Sequence, residues 1–131
     1  MTTKTRPNPI DTATALLYEN ERRTRQDHDL IPVSSLTDPL AQVAYLTLPD
    51  LAGSDVRVTL TPYSVTADAL TFTTTTGRRA DVRVSGSTLR VERTNMPGEL
   101  TFRRYDVGAA ARAVLAHMDP PAGRNDGPDY D

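Results

Sequence analysis

The sequence predicts an α+β domain: an antiparallel β-meander of five or six strands with a C-terminal helix packed on one face and helical segments before the sheet. Three observations predict this fold. The chain has 131 residues, the length of one compact domain. Residues 55–103 alternate between apolar and polar side chains, as strands with one buried face do. Residues 106–118 have the spacing of an amphipathic helix.

The N-terminal part is predicted to be a flexible arm followed by a helix. Residues 1–9 are polar and interrupted by prolines, so we expect an extended arm. Asp11 is a good N-cap for the helix. The nearby apolar residues fall close to one helical face, namely Ile10, Ala13, Leu16 and Leu17.

The helix is predicted to continue as a solvated rod. Residues 19–29 include no apolar side chain, but their charges stand four residues apart, a spacing that stabilises helices. The expected ion pairs are Glu19 with Arg23, Glu21 with Arg25, Arg23 with Asp27, and Arg25 with Asp29. Because such a helix can contact a neighbouring protein, its candidate interaction residues are Arg22, Arg23 and Arg25.

The next segment, residues 40–48, has two interpretations. Asp38 as N-cap with Pro39 at the first helical position predicts a short helix. The apolar run of residues 43–48 is more typical of a strand, which would cover one edge of the sheet.

The meander is predicted from five alternating segments separated by turn residues. The segments are 56–60, 70–73, 81–84, 89–92 and 100–103, and residues 63–67 are a candidate sixth strand. Turn residues between them are Asp68, Gly77, Gly86 with Ser87, and the stretch 95–98. Short connections of this kind join antiparallel neighbours.

A two-residue turn at Gly86 and Ser87 would fix the register of one hairpin. It places Arg83 opposite Arg90 and Asp81 opposite Glu92 on the polar face. Opposed like charges destabilise a sheet, so we expect the diagonal pairs Arg83–Glu92 and Asp81–Arg90 to compensate.

The last helix is predicted to cover the apolar face of the sheet. Asp106 is its N-cap, and its apolar stripe consists of Val107, Ala110, Ala111, Val114, Leu115 and Met118. Asp119 and the two following prolines end it, and residues 119–131 are predicted to be a flexible acidic tail. The domain itself is expected to span residues 10–118.

Composition excludes several kinds of site. The chain has no cysteine, which removes disulfides, thiolate nucleophiles and cysteine-containing zinc sites. His28 and His117 lack ligand partners at helical spacing, so we expect no metal and no cofactor. Neither a nucleophile motif nor a phosphate-binding glycine loop occurs, so we expect no enzyme. Without a long apolar run or signal sequence, the chain is expected to be cytoplasmic and free of the membrane.

Protein binding is therefore the leading expectation. The predicted meander has two open edges, residues 55–60 and 100–104, and such edges pair with a second copy or with a foreign chain. Arginine makes up 14 of the 15 basic residues, a bias that we interpret as the codon usage of a GC-rich genome. We expect a non-catalytic accessory protein of the inhibitor, immunity, adaptor or assembly-subunit type, from a high-GC bacterium or its phage.

The alternative is a nucleic-acid-binding regulator. Residues 55–112 contain nine arginines and six acids, and the predicted polar face carries Arg57, Arg83, Arg90 and Arg103. The alternation directs Phe72 and Phe102 into the core, so this face lacks the aromatic platforms of many single-strand binders.

Overall fold

A computed structural model describes residues 8–63 and 68–118 and confirms the α+β class. The described residues form three α-helices, one short 3-10 helix and a five-stranded antiparallel sheet. The elements are α1 (Pro9–Arg25), the 3-10 helix (Val33–Ser35), α2 (Pro39–Leu51), β1 (Arg57–Pro62), β2 (Asp68–Thr73), β3 (Arg79–Ser85), β4 (Thr88–Arg93), β5 (Glu99–Arg103) and α3 (Val107–Met118). Most of the candidate sixth strand, all but two residues of the predicted arm, and the predicted tail lie outside the described residues.

The sheet is a simple meander with one face in the core. Its strands stand in the order β1-β2-β3-β4-β5, and each pair is antiparallel. The helix-facing side chains of the three central strands include Phe72, Val82 and Val91, each of which is fully buried. Phe102, on the edge strand β5, is half-buried against the same core. Both phenylalanines are thus packed against the core, as the alternation predicts.

Helix α3 covers the sheet, as predicted. It contacts β2, β3, β4 and β5, and its stripe of Val107, Ala110, Ala111, Val114 and Met118 is buried. The side chain of Val114 is fully excluded from solvent. Burial of one such aliphatic side chain stabilises the fold by about 1.5–3 kcal/mol, so this stripe is a main source of stability.

The ambiguous segment is helix α2, and its interpretation as an edge strand is wrong. The Asp38 carboxylate accepts a hydrogen bond from the Leu40 N–H (2.9 Å), and Pro39 is the first helical residue. The helix packs against α1, α3 and the central strand β3, so it is apolar on several sides. Because it lies in the helical layer, it covers neither edge of the sheet.

Helix α1 begins earlier than predicted. The Asn8 side chain caps it by accepting a hydrogen bond from the Ile10 N–H (2.8 Å), and Pro9 occupies the first turn. Asn8 followed by Pro9 is the same signal as Asp38 followed by Pro39. Asp11 therefore lies inside the first turn, where its negative charge interacts favourably with the positive end of the helix dipole.

The charged end of α1 is shorter than predicted. The ion pairs Glu19–Arg23 (2.9 Å) and Glu21–Arg25 (3.4 Å) form as expected. The helix ends at Arg25, and Asp27 adopts a left-handed conformation with φ of 60°. The expected pairs of residues 23 with 27 and 25 with 29 are wrong, because helical spacing does not extend to those acids.

Asn20 anchors this charged segment to the protein. It is the one buried residue in the second half of α1, with 6% of its surface exposed. Its amide nitrogen donates to the Ile31 carbonyl (2.9 Å) and to the Tyr45 hydroxyl (2.8 Å), while its oxygen accepts from the Ile31 N–H (2.8 Å). The returning loop and α2 are thereby joined to α1, so the segment is not a free rod.

Replacing Asn20 should destabilise the protein measurably. The Asn20→Ala variant leaves the Ile31 backbone groups without their partner, which costs roughly 1–3 kcal/mol for a buried group. Urea unfolding followed by circular dichroism measures the change. The control Glu21→Ala removes an exposed ion pair on the same helix and should cost less than about 0.5 kcal/mol. Equal losses in both variants would contradict the anchoring role.

Candidate interaction surface

The face of the sheet turned away from the helices carries the predicted arginines, and we call it the outer face. The register of the β3–β4 hairpin is the predicted one, with Arg83 opposite Arg90 and Asp81 opposite Glu92. In the neighbouring ladders, Arg57 pairs with Thr73 and Arg103 with Thr88. Since side chains alternate along each strand, all four candidate arginines, Arg57, Arg83, Arg90 and Arg103, lie on the outer face.

Three acidic residues form a row across the outer face. Asp81 of β3 is opposite Glu92 of β4, and Glu92 is opposite Glu99 of β5. Carboxylates directly opposed in a ladder repel one another. The row is therefore favourable only where cations of neighbouring rows compensate it.

Arg83 and Arg90, the two central arginines of the neighbouring row, supply that compensation at Glu99. One of its oxygens accepts from Arg83 (2.6 Å) and the other from Arg90 (3.0 Å). The ring of Tyr63 stacks on Arg83, with 4.3 Å between the guanidinium carbon and the ring centre. The side chain of Arg83 is 15% exposed, so this ion pair is largely shielded from solvent screening.

The expected diagonal pairs are wrong. Arg83 and Arg90 pair with Glu99, and Asp81 accepts from the Arg79 guanidinium (3.1 Å) and the Thr71 hydroxyl (2.7 Å). Glu99 belongs to the next strand, and its carboxylate is positioned to take both opposed arginines at once. The diagonal pairs were predicted from the β3–β4 hairpin alone, and Glu99 lies on the neighbouring strand β5.

The pKa of the Glu99 carboxyl lies below its ordinary value. Hydrogen bonds and charge from Arg90 and Arg83 favour the ionised form and outweigh the opposing effect of burial. A carboxyl whose pKa is lower in the folded state stabilises the fold above its unfolded pKa. The stabilisation from Glu99 is lost as the pH falls through the pKa of its carboxyl in the folded state.

The Glu99→Gln variant should therefore be less stable than the wild type at neutral pH, and the difference should shrink as the pH falls below the pKa of the unfolded carboxyl, about 4.3. Urea unfolding at pH 7 and near pH 3 measures both values. The matched control is Glu92→Gln, because the exposed Glu92 carboxylate makes no ion pair with any described residue. An equal pH dependence in the two variants would contradict the role of Glu99.

The remaining candidate arginines lie in different surroundings. Arg57 and Arg103 are exposed at opposite edges of the outer face and make no ion pair within residues 8–63 and 68–118. The outer face thus has a neutralised centre and two cationic edges. The candidate arginines of α1 lie on the helical side of the sheet and do not join this surface.

The arginines of α1 are held by their own helix. Arg22 and Arg23 share Glu19, and Arg25 binds Glu21. Arg23 also donates to the Asp29 carbonyl (3.0 Å), which joins α1 to the residues after it. These side chains remain accessible, and each guanidinium has a carboxylate partner, although Arg22 and Arg23 share one.

The backbone of β5 presents hydrogen-bonding groups to the outside. The N–H of Arg104 donates to the Ser87 carbonyl (2.9 Å), one step beyond the opposed pair Arg103 and Thr88. Bonded and non-bonded pairs alternate along an antiparallel ladder. Every second residue counted back from Arg104 therefore turns its backbone groups to β4. The backbone groups that turn away from the sheet are those of Glu99, Thr101 and Arg103.

The other edge of the sheet is less accessible. Strand β1 ends in Pro62, which has no N–H to offer a partner. Each edge strand contacts one helix, β1 with α1 and β5 with α3, so the proline is the difference between the two edges. Proline and covering helices are common ways of protecting an edge strand. Strand β5 contains no proline, so it is the more open edge.

Comparisons with family models, with curated proteins and with solved structures found no match to this chain. No group of three histidine or acidic side chains that could hold a metal occurs among the described residues. No described helix is long and apolar enough to cross a bilayer. The function must therefore be inferred from the surface itself.

His117 is a titratable residue outside the candidate surface, and its spacing in the sequence did not indicate its surroundings. It lies in the last turn of α3, and its Nε2 atom is buried without a partner among the described residues. Burial and, to a smaller extent, the charges of Arg93 and Arg78 lower its pKa, against the opposing effect of a hydrogen bond with the Arg79 backbone. These neighbours disfavour the protonated imidazole at this position.

Acid should weaken the fold through His117. Because its pKa is lower in the folded state, protonation favours unfolding as the pH falls below the unfolded value of about 6.5. NMR titration of the imidazole in folded protein should give a pKa below that of the urea-unfolded chain. The Arg93→Gln variant removes a repelling charge and should raise the folded pKa. A folded pKa above the unfolded one would contradict this assignment.

Proposed function

We propose that this chain is a non-catalytic protein-interaction accessory of the cytoplasm, and that strand β5 is its principal contact. The observation that carries the proposal is the set of outward backbone groups on β5, at the less protected end of the sheet. An extended segment of a partner can add to such an edge through main-chain hydrogen bonds. Inhibitors, immunity proteins, adaptors and assembly subunits are the classes that we consider.

The distribution of charge supports protein binding over nucleic-acid binding. The two most central arginines of the outer face share Glu99, and Glu92 lies opposite Glu99 in the same acidic row, so two carboxylates offset their two charges before any phosphate approaches. Binding to a polyanion gains affinity by releasing counterions from phosphates that free cations neutralise. Only Arg57 and Arg103 of the four candidate arginines keep uncompensated charge, which is little for a phosphate-tracking surface.

Helix α1 is a second contact surface in this proposal. Its exposed side carries Tyr18, with 69% of its surface accessible, and the candidate residues Arg22 and Arg25. Tyrosine and arginine are enriched in protein interfaces. Helix α1 packs mainly against α2, whereas β5 packs against β4 and α3, so α1 and β5 would contact different parts of a partner.

Site-specific photo-crosslinking tests the proposal. A photoreactive amino acid replaces Thr101 on β5, Arg25 on α1, or Thr76 in the exposed turn between β2 and β3, and each variant is irradiated in cells of the source organism. We expect one discrete adduct from position 101, another from position 25, and none from the control position 76. No adduct from position 101, or the same adducts from all three positions, would overturn the proposal.

A further inference from the structure

Resting on the proposed function, we propose that the partner of β5 is a second copy of this chain, paired antiparallel about a twofold axis at Thr101. A twofold axis perpendicular to the sheet brings the same strand of two protomers together, so the interface is isologous. The two sheets would then form one continuous sheet of ten strands, five from each protomer.

The first observation is the match of side chains in this register. Pairing about Thr101 places Glu99 opposite Arg103 of the second copy and Leu100 opposite Phe102 of the second copy. Opposite charges thus meet on the outer face, while two half-buried apolar side chains meet on the helix-facing side. Moving the twofold axis by one residue would instead place Leu100 opposite Leu100 or Phe102 opposite Phe102, and Glu99 would no longer be opposite Arg103.

The second observation is the charge at the end of the acidic row. Asp81, Glu92 and Glu99 form that row, and it ends at the open edge of β5. In the dimer the next position in the row is occupied by Arg103 of the second copy. Within its own chain Arg103 is opposite Thr88 and makes no ion pair with any described residue. Dimerisation therefore brings a cation without an ion pair opposite Glu99, whose carboxylate it would share with Arg83 and Arg90.

The third observation is the direction of the backbone groups. Thr101 turns its N–H and C=O outward, so two copies would exchange two hydrogen bonds at the axis. The N–H of Arg103 in each copy would donate to the Glu99 carbonyl of the other copy. The Arg103 carbonyl already accepts from the Asp106 N–H (2.9 Å), so we count no hydrogen bond to it across the interface. Four main-chain hydrogen bonds then join the protomers.

Sedimentation equilibrium of the purified full chain tests the pairing. We expect a monomer–dimer equilibrium at micromolar to millimolar concentration. Arg103→Glu places carboxylates opposite one another twice and should raise the dissociation constant on the order of tenfold. The matched control Arg57→Glu makes the same change on β1 and should leave the equilibrium unchanged. A wild-type chain that stays monomeric at millimolar concentration would overturn the inference.

Thr101→Pro tests the backbone contribution. Proline removes an N–H that points away from β4, so the β4–β5 ladder keeps its hydrogen bonds. We expect loss of the dimer with a folded monomer, as circular dichroism and urea unfolding would report. An unchanged dissociation constant would overturn the inference.

A cysteine at the axis tests the register even if the proline variant does not fold. The chain has no natural cysteine, and hydrogen-bonded partners in an antiparallel pair are about 5.5 Å apart at Cα, within reach of a disulfide. Mild oxidation of Thr101→Cys should give a disulfide-linked dimer, whereas Thr59→Cys on β1 should remain monomeric. Equal yields from both variants would overturn the inference.

The outcomes also separate this inference from the proposed function. A foreign chain crosslinked at position 101, together with a monomeric purified protein, would refute self-pairing and leave the interaction role intact. Absence of both the dimer and any adduct at position 101 would refute both.

Discussion

The pleat of the β-strands is the constraint on which the rest of the structure depends. Alternation along each strand assigns every side chain either to the helices or to the outer face. Because Phe72, Val82 and Val91 are fully buried under the helices, one entire face of the sheet is committed to the core. The same periodicity decides which backbone groups of an edge strand turn outward. The sheet therefore presents only its outer face and its edges to a partner.

The local signals in the sequence were sufficient for most of the fold. The period-two pattern predicted the meander, and the turn at Gly86 and Ser87 predicted the register of Arg83 with Arg90. Segment 40–48 was ambiguous for a physical reason. A helix covered by neighbours on several sides has the continuous apolar run of a buried strand, and here the Asp38–Pro39 signal was the better guide.

Residues whose roles depend on distant partners were not predictable from spacing. Asn20 reads as one polar residue in a charged stretch, but its partners Ile31 and Tyr45 come from a loop and another helix. In the sequence, Glu99 is only the residue before a predicted strand, but in the structure it forms ion pairs with two arginines of other strands. The sequence predicted Arg57, Arg83, Arg90 and Arg103 on the outer face but not Arg79, which lies opposite Thr73 and pairs with Asp81. The pairing of Arg83 and Arg90 with Glu99 depended on the position of β5.

The central claim is that β5 is an edge strand whose backbone groups alternate between β4 and the outside. Amide hydrogen exchange, measured by NMR at low protein concentration, tests it most directly. The account predicts slow exchange at Leu100 and Phe102, whose N–H groups are bonded to β4, and fast exchange at Thr101 between them. Equally slow exchange at all three amides of the dilute protein would contradict the claim, because Thr101 would then be covered within its own chain.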